Sequence, residues 1–98
     1  MFEGIIRNKI KKHLKTLKQY NIKLALKTLH NESVIVVSNL PLNYKSVLSK
    51  MIDDLGKVDI SSEVGTLRDE DVVLFKNLPS QYLGLIKSCI DDYNSGRI

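Results

Sequence analysis

The sequence predicts an α+β fold in which a basic helix precedes a duplicated ββα unit. Three observations carry this reading. Residues 21–56 and 59–94 are self-similar at an offset of 38, with twelve identities in 36 aligned positions, where unrelated sequences of ordinary usage share about two or three. Each copy sets a short β-branched or aromatic run before an Asn-Leu-Pro triplet, and a helical apolar stripe after it. Residues 1–30 carry eight basic side chains against Glu3 alone, a net +7, whereas residues 31–98 carry seven basic and ten acidic, a net −3.

Residues 3–19 form the opening helix. Ile6, Ile10, Leu14 and Leu17 make its apolar stripe, Arg7, Lys11, Lys15 and Lys18 run along one flank, and Lys12 stands on the outer face. Ile22, Leu24, Leu26 and Thr28 then alternate with Lys23, Ala25 and Lys27, the period of a half-buried strand. Continuation of the first helix through 21–29 is the competing reading. A turn at His30-Asn31-Glu32 folds the strand back onto residues 33–38, where Val34–Val37 suits a central, two-sided position. Asn39-Leu40-Pro41 ends that strand, because proline fixes φ and disfavours helix in the residue before it. Tyr44, Val47, Leu48, Met51, Ile52 and Leu55 follow at helical spacing.

The second copy repeats this grammar. Residues 57–67 supply the outer strand, Arg68-Asp69-Glu70 the turn, Val72–Phe75 the central strand and Asn77-Leu78-Pro79 the stop. Tyr82, Leu85, Ile86, Cys89, Ile90 and Tyr93 make the last helix. Two helices on one face of a four-stranded antiparallel sheet bury both stripes. The expected arrangement is ferredoxin-like and pseudo-two-fold, with its outermost strand ahead of a βαββα body. The organisation expected is a basic helix over 1–20 and one α+β domain over 21–98, built from repeats 21–56 and 59–94.

Composition narrows the function. At 98 residues the chain is one domain, and no apolar run approaches the ~20 residues of a membrane span. Basic residues threaded through the N-terminal apolar ones do not resemble a secretory signal. The single cysteine, Cys89, lies on a core-facing stripe and suits a reducing compartment, so a soluble cytoplasmic protein is expected. His13 and His30 stand alone, and there is no glycine-rich phosphate loop, nucleophile elbow or paired-cysteine zinc pattern. No catalytic residue, metal or cofactor is assigned, and the chain is read as a non-enzyme.

The basic arm points to an anionic partner. Arg7, Lys11, Lys12, Lys15 and Lys18 are the candidate phosphate contacts for RNA or DNA, since such contacts need charge density and reach rather than a fixed motif. The rival is a protein assembly module in which Ile6, Ile10, Leu14 and Leu17 dock into a partner's groove, or in which an edge strand completes a homodimer or heterodimer. A membrane partner is not expected. Asp53-Asp54 and Asp91-Asp92 lie near helix C-termini, against the macrodipole. They form either solvated faces or a surface that receives the basic helix, from this chain or a second copy.

Val34–Leu40, followed by a helix and Gly56-Lys57-Val58, resembles the start of an RNA recognition motif over about residues 34–98, with Val72–Phe75 in the place of its central third strand and Asp92–Gly96 where its second helix ends. The resemblance implies a ferredoxin-like sheet and RNA association. That family stacks bases on aromatic residues of two central strands; here the matching positions are Val36 and Val72, and Phe75 is the aromatic residue nearby. A βαββα unit of this size is also similar to the small dimerising subunit of the KEOPS tRNA-modification complex, which implies a non-catalytic role in RNA processing.

Overall fold

Val34–Val37 and Val72–Phe75 lie side by side at the centre of one antiparallel sheet, as their β-branched and aromatic content requires. The computed structural model describes residues 2–98. In order these form α1 (Phe2–Gln19), β1 (Lys23–Leu29), β2 (Glu32–Ser38), α2 (Tyr44–Gly56), β3 (Ser61–Leu67), β4 (Glu70–Lys76), a 3-10 turn (Ser80–Tyr82) and α3 (Leu83–Asn94). The sheet order is β1-β2-β4-β3 with every neighbour antiparallel. This is a ferredoxin-like layout in which β1 occupies the edge beside β2 and so precedes the βαββα body. Residues 21–29 therefore turn back as a strand and do not prolong the helix.

The duplication is written into the backbone. Among the described residues eight non-glycine ones have positive φ, and they fall into four pairs 38 apart: Asn21 and Asp59, His30 and Arg68, Asn31 and Asp69, Asn39 and Asn77. His30-Asn31 and Arg68-Asp69 are two-residue hairpin turns with positive φ at both positions, the form whose twist matches the flanking strands. Asn39 and Asn77 each turn the chain out of a central strand. Asn39 donates its Nδ2 to the carbonyl of Asn21 and Asn77 to Oγ of Ser61, both at 2.8 Å.

The core lies between the sheet and one helical layer. Leu24, Ile35, Val37, Val73 and Phe75 face the helices, and Leu48, Met51, Leu55, Leu85, Ile86, Cys89 and Ile90 close over them. On the opposite face Val34, Val36 and Val72 form a smaller cluster with half-buried Leu29, Leu67 and Leu74.

The opening helix shares the hydrophobic interior of the sheet and its two later helices. α1 packs against both α2 and α3, and Ile6, Ile10, Leu14 and Leu17 are buried at 8%, 7%, 1% and 1% exposure within the same core. The division into 1–20 and 21–98 is thus not a division of the hydrophobic interior. The reason is volume: α2 and α3 leave the sheet's centre open, and the stripe of α1 fills it. The offset of 38 even reaches into α1. Ile10, Leu48 and Ile86 are buried equivalents, as are His13, Met51 and Cys89, and Leu17, Leu55 and Tyr93. The exits of α1 and α2 match as well: Ile22 N–H donates to Leu17 C=O, and Ile60 N–H to Leu55 C=O.

Candidate nucleic-acid interface

Burial of its apolar stripe fixes the rotation of α1, and with it the direction of every basic side chain. At 100° per residue the helix has two flanks and an outer face. Arg7, Lys11 and Lys18 lie toward α3, Lys9 and His13 toward α2, and Lys12 and Lys15 point outward. Lys9, Lys12, Lys15 and Lys18 are exposed, and Arg7 and Lys11 partly so.

Both flanks meet acidic groups. The Lys11 ammonium lies 4.0 Å from Asp92 Oδ2. On the other side His13 Nε2 is 2.8 Å from Asp54 Oδ2. Asp54 and Asp92 are the same position in the two repeats, so α1 is tied symmetrically to the helices beside it. Asp53 and Asp91 are exposed. The hydrogen bond from His13 holds the Asp54 carboxyl below its ordinary value, helped by the nearby charges of His13, Lys57 and Lys9 and opposed by burial. Asp92 also meets Arg97 at 3.3 Å, and Lys18 stands 5.6 Å from the Tyr93 ring centroid, within cation–π range.

The five basic positions singled out in the sequence therefore share one helix but differ in state. Lys12 and Lys15 are exposed and make no ion pair among the described residues. Lys11 and Lys18 are partly engaged by α3. Ile6, Ile10, Leu14 and Leu17, expected as partner-binding residues, face this chain's own core and are not available to a groove elsewhere.

Sequence reading missed His13, which is 7% exposed and is the buried polar side chain of the described core. Its signal was present: the position 38 residues on is Met51, and 76 residues on is Cys89, both on apolar stripes. Its partner Asp54 lies 41 residues away and no local spacing announces it.

The helix-free face of the sheet offers no stacking platform. Val36 and Val72 are buried there at 3% and 2%, and Phe75 points to the opposite side, fully buried among the helices. Lys76 on this face is held by Glu63 at 2.7 Å, which raises its pKa. Among the described residues no three His, Cys, Asp or Glu side chains converge as a metal site, and no helix is long and apolar enough to cross a membrane. Cys89 is buried, and burial raises its thiol pKa, which leaves little thiolate for nucleophilic chemistry. Comparison with protein-family models, with curated proteins and with solved structures finds no match to the chain.

Proposed function

We propose that the chain is a non-catalytic accessory subunit that associates with RNA or DNA through phosphate contacts from Arg7, Lys11, Lys12, Lys15 and Lys18. One observation supports this reading above others. The stripe of α1 is locked in the core, so a rigid helix of about 27 Å presents Lys12 and Lys15 outward with Arg7, Lys11 and Lys18 along the adjacent flank. Pre-set charge of this kind binds phosphate without ordering a flexible arm. A cytoplasmic setting accords with the unpaired, buried Cys89. The rival, an assembly module docking through the stripe of α1, has less support because that stripe is internal.

The test is salt-titrated binding to tRNA and to duplex DNA, with Lys12→Glu and Lys15→Glu as surface variants. Truncating residues 1–20 is unsuitable, since it removes part of the core. For about five phosphate contacts the logarithm of affinity falls with the logarithm of salt at a slope of about −4, and each lost contact reduces that slope by about 1. The double variant is expected to bind far more weakly with an unchanged melting temperature. Affinity indifferent to salt, or untouched by the substitutions, refutes the proposal, and the preferred ligand separates RNA from DNA.

A further inference from the structure

We infer that β3 is a homodimerisation edge, pairing antiparallel with β3 of a second copy about a two-fold axis at Val64. The sheet order leaves two edge strands, β1 and β3, and the pseudo-symmetry makes them equivalents whose differences can be read directly.

The β1 edge is guarded. Leu24 is buried and Leu26 half-buried against the core, α3 packs over this strand, and Lys23 and Lys27 are exposed along it. Self-pairing about Ala25 places Lys23 directly opposite Lys27 of the other copy, and like charges in that position are destabilising. Edge lysines of this kind discourage strand addition.

The β3 edge is likewise covered on its helical face, by α2, but it lacks the lysine guard. Its seven residues, Ser61–Leu67, pair with β4 in an unbroken register without a bulge, and they include neither lysine nor proline. Val64, the equivalent of Leu26, is 57% exposed. It borders a depression walled on the other side by Tyr44, Lys45, Leu48 and Ile52 of α2. The one charge of the strand, Glu63, is already matched by Lys76 at 2.7 Å.

The strand is also self-complementary about Val64. In that register Val64 meets Val64 of the second copy, Ser62 meets Thr66, and Glu63 meets Gly65. A β-branched pair and a hydroxyl pair each favour antiparallel association, and the carboxylate lies beside a residue that has no side chain to oppose it. Registration about Glu63 instead sets two carboxylates face to face, which selects against that alternative. A second copy therefore fits this edge, where the equivalent edge repels one. With the two-fold normal to the sheet, the product is one eight-stranded sheet with both helical layers, and both copies of α1, on the same side. This inference stands independently of nucleic-acid binding.

The experiment is sedimentation equilibrium on the intact chain from about 1 µM to 1 mM. The wild type is expected to shift from monomer to dimer across that range. Val64→Lys sets two ammonium groups at the axis and is expected to stay monomeric with an unchanged circular dichroism spectrum. Gly65→Lys tests the register from the other side. A Cβ at Gly65 meets Leu74 Cδ1 at 3.7 Å, an ordinary contact, so the fold accepts the side chain, and its ammonium lies beside Glu63 of the second copy. This variant is expected to raise the dimer fraction several-fold, and Gly65→Glu to lower it. A wild type that remains monomeric at the highest concentration overturns the inference. So does a dimer that ignores position 64, or one that responds instead to Lys23→Glu on β1.

Discussion

Val36 and Leu74, the same position in the two repeats, are partners of each other across the central β2–β4 pair. The pseudo-two-fold axis thus passes through this pair, and the adjoining pairs exchange copies: Ile35 lies opposite Phe75, and Val37 opposite Val73. Chemical environments on the axis are nevertheless unequal, because Val36 is buried and Leu74 only half-buried. Val36→Thr introduces a hydroxyl beside apolar neighbours and is expected to cost about 1–3 kcal/mol. Leu74→Thr should cost less than a Leu→Ala change in a closed core, since water reaches the site. Urea unfolding of the two variants measures the asymmetry directly.

α1 belongs to the folding unit. Leu14→Ala and Leu17→Ala each remove a side chain that is 1% exposed and are each expected to cost about 2–5 kcal/mol. Removal of residues 1–20 is expected to leave an aggregating or unfolded chain. A truncated protein with a cooperative melt near that of the full chain would restore the division at residue 20.

Tyr93 fastens α3 to the start of β1. Its hydroxyl donates to the carbonyl of Ile22 in a buried hydrogen bond, and burial raises the phenol pKa. Tyr93→Phe keeps the ring under Lys18 but orphans the carbonyl, with an expected loss of about 1–2 kcal/mol. Thermal denaturation at neutral pH checks it. Tyr93→Leu should cost more, because the ring contact is lost as well.

The second hairpin carries avoidable strain. Arg68 and Asp69 have φ of 52° and 66°, a region that asparagine and glycine enter more readily. Arg68→Asn with Asp69→Gly is expected to stabilise the protein by up to about 1 kcal/mol, seen as a higher urea midpoint at constant slope. Asn31→Gly in the first hairpin should give less, since asparagine already stands there.

Repeat and periodicity made the sheet and the two later helices legible, because burial on one face imposes spacing on local sequence. Val34–Val37 and Val72–Phe75 announce two-sided strands, and the 38-residue offset announces how they meet. The placement of α1 was not legible. Ile6, Ile10, Leu14 and Leu17 form the same stripe whether a partner or the chain's own core covers it, and only the space left between α2 and α3 decides. The basic face was half legible: helical spacing put Lys12 outside and Lys15 on the flank, but the ties of Lys11 to Asp92 and of Lys18 to Tyr93 depend on contacts about 75 to 81 residues apart that no local pattern encodes.

A further long-range tie, between His13 and Asp54, makes the docking of α1 acid-sensitive. His13 donates to the Asp54 carboxylate, and that bond is the largest cause of the depressed pKa of Asp54. A carboxylate whose pKa is lower folded than unfolded stabilises the fold above its ordinary value of 3.8, and that contribution is lost as pH falls through the folded value. Asp54→Asn removes the charge while keeping the size of the side chain. The wild type is expected to be the more stable of the two at pH 7, with the difference shrinking as pH drops below about 4. Asp53→Asn, one residue away but exposed, is the control and should follow the wild-type profile. Unfolding free energies of the three proteins between about pH 7 and pH 2.5 decide the matter. A gap between wild type and Asp54→Asn that stays constant through the acid range would mean that the His13–Asp54 bond contributes shape and not charge.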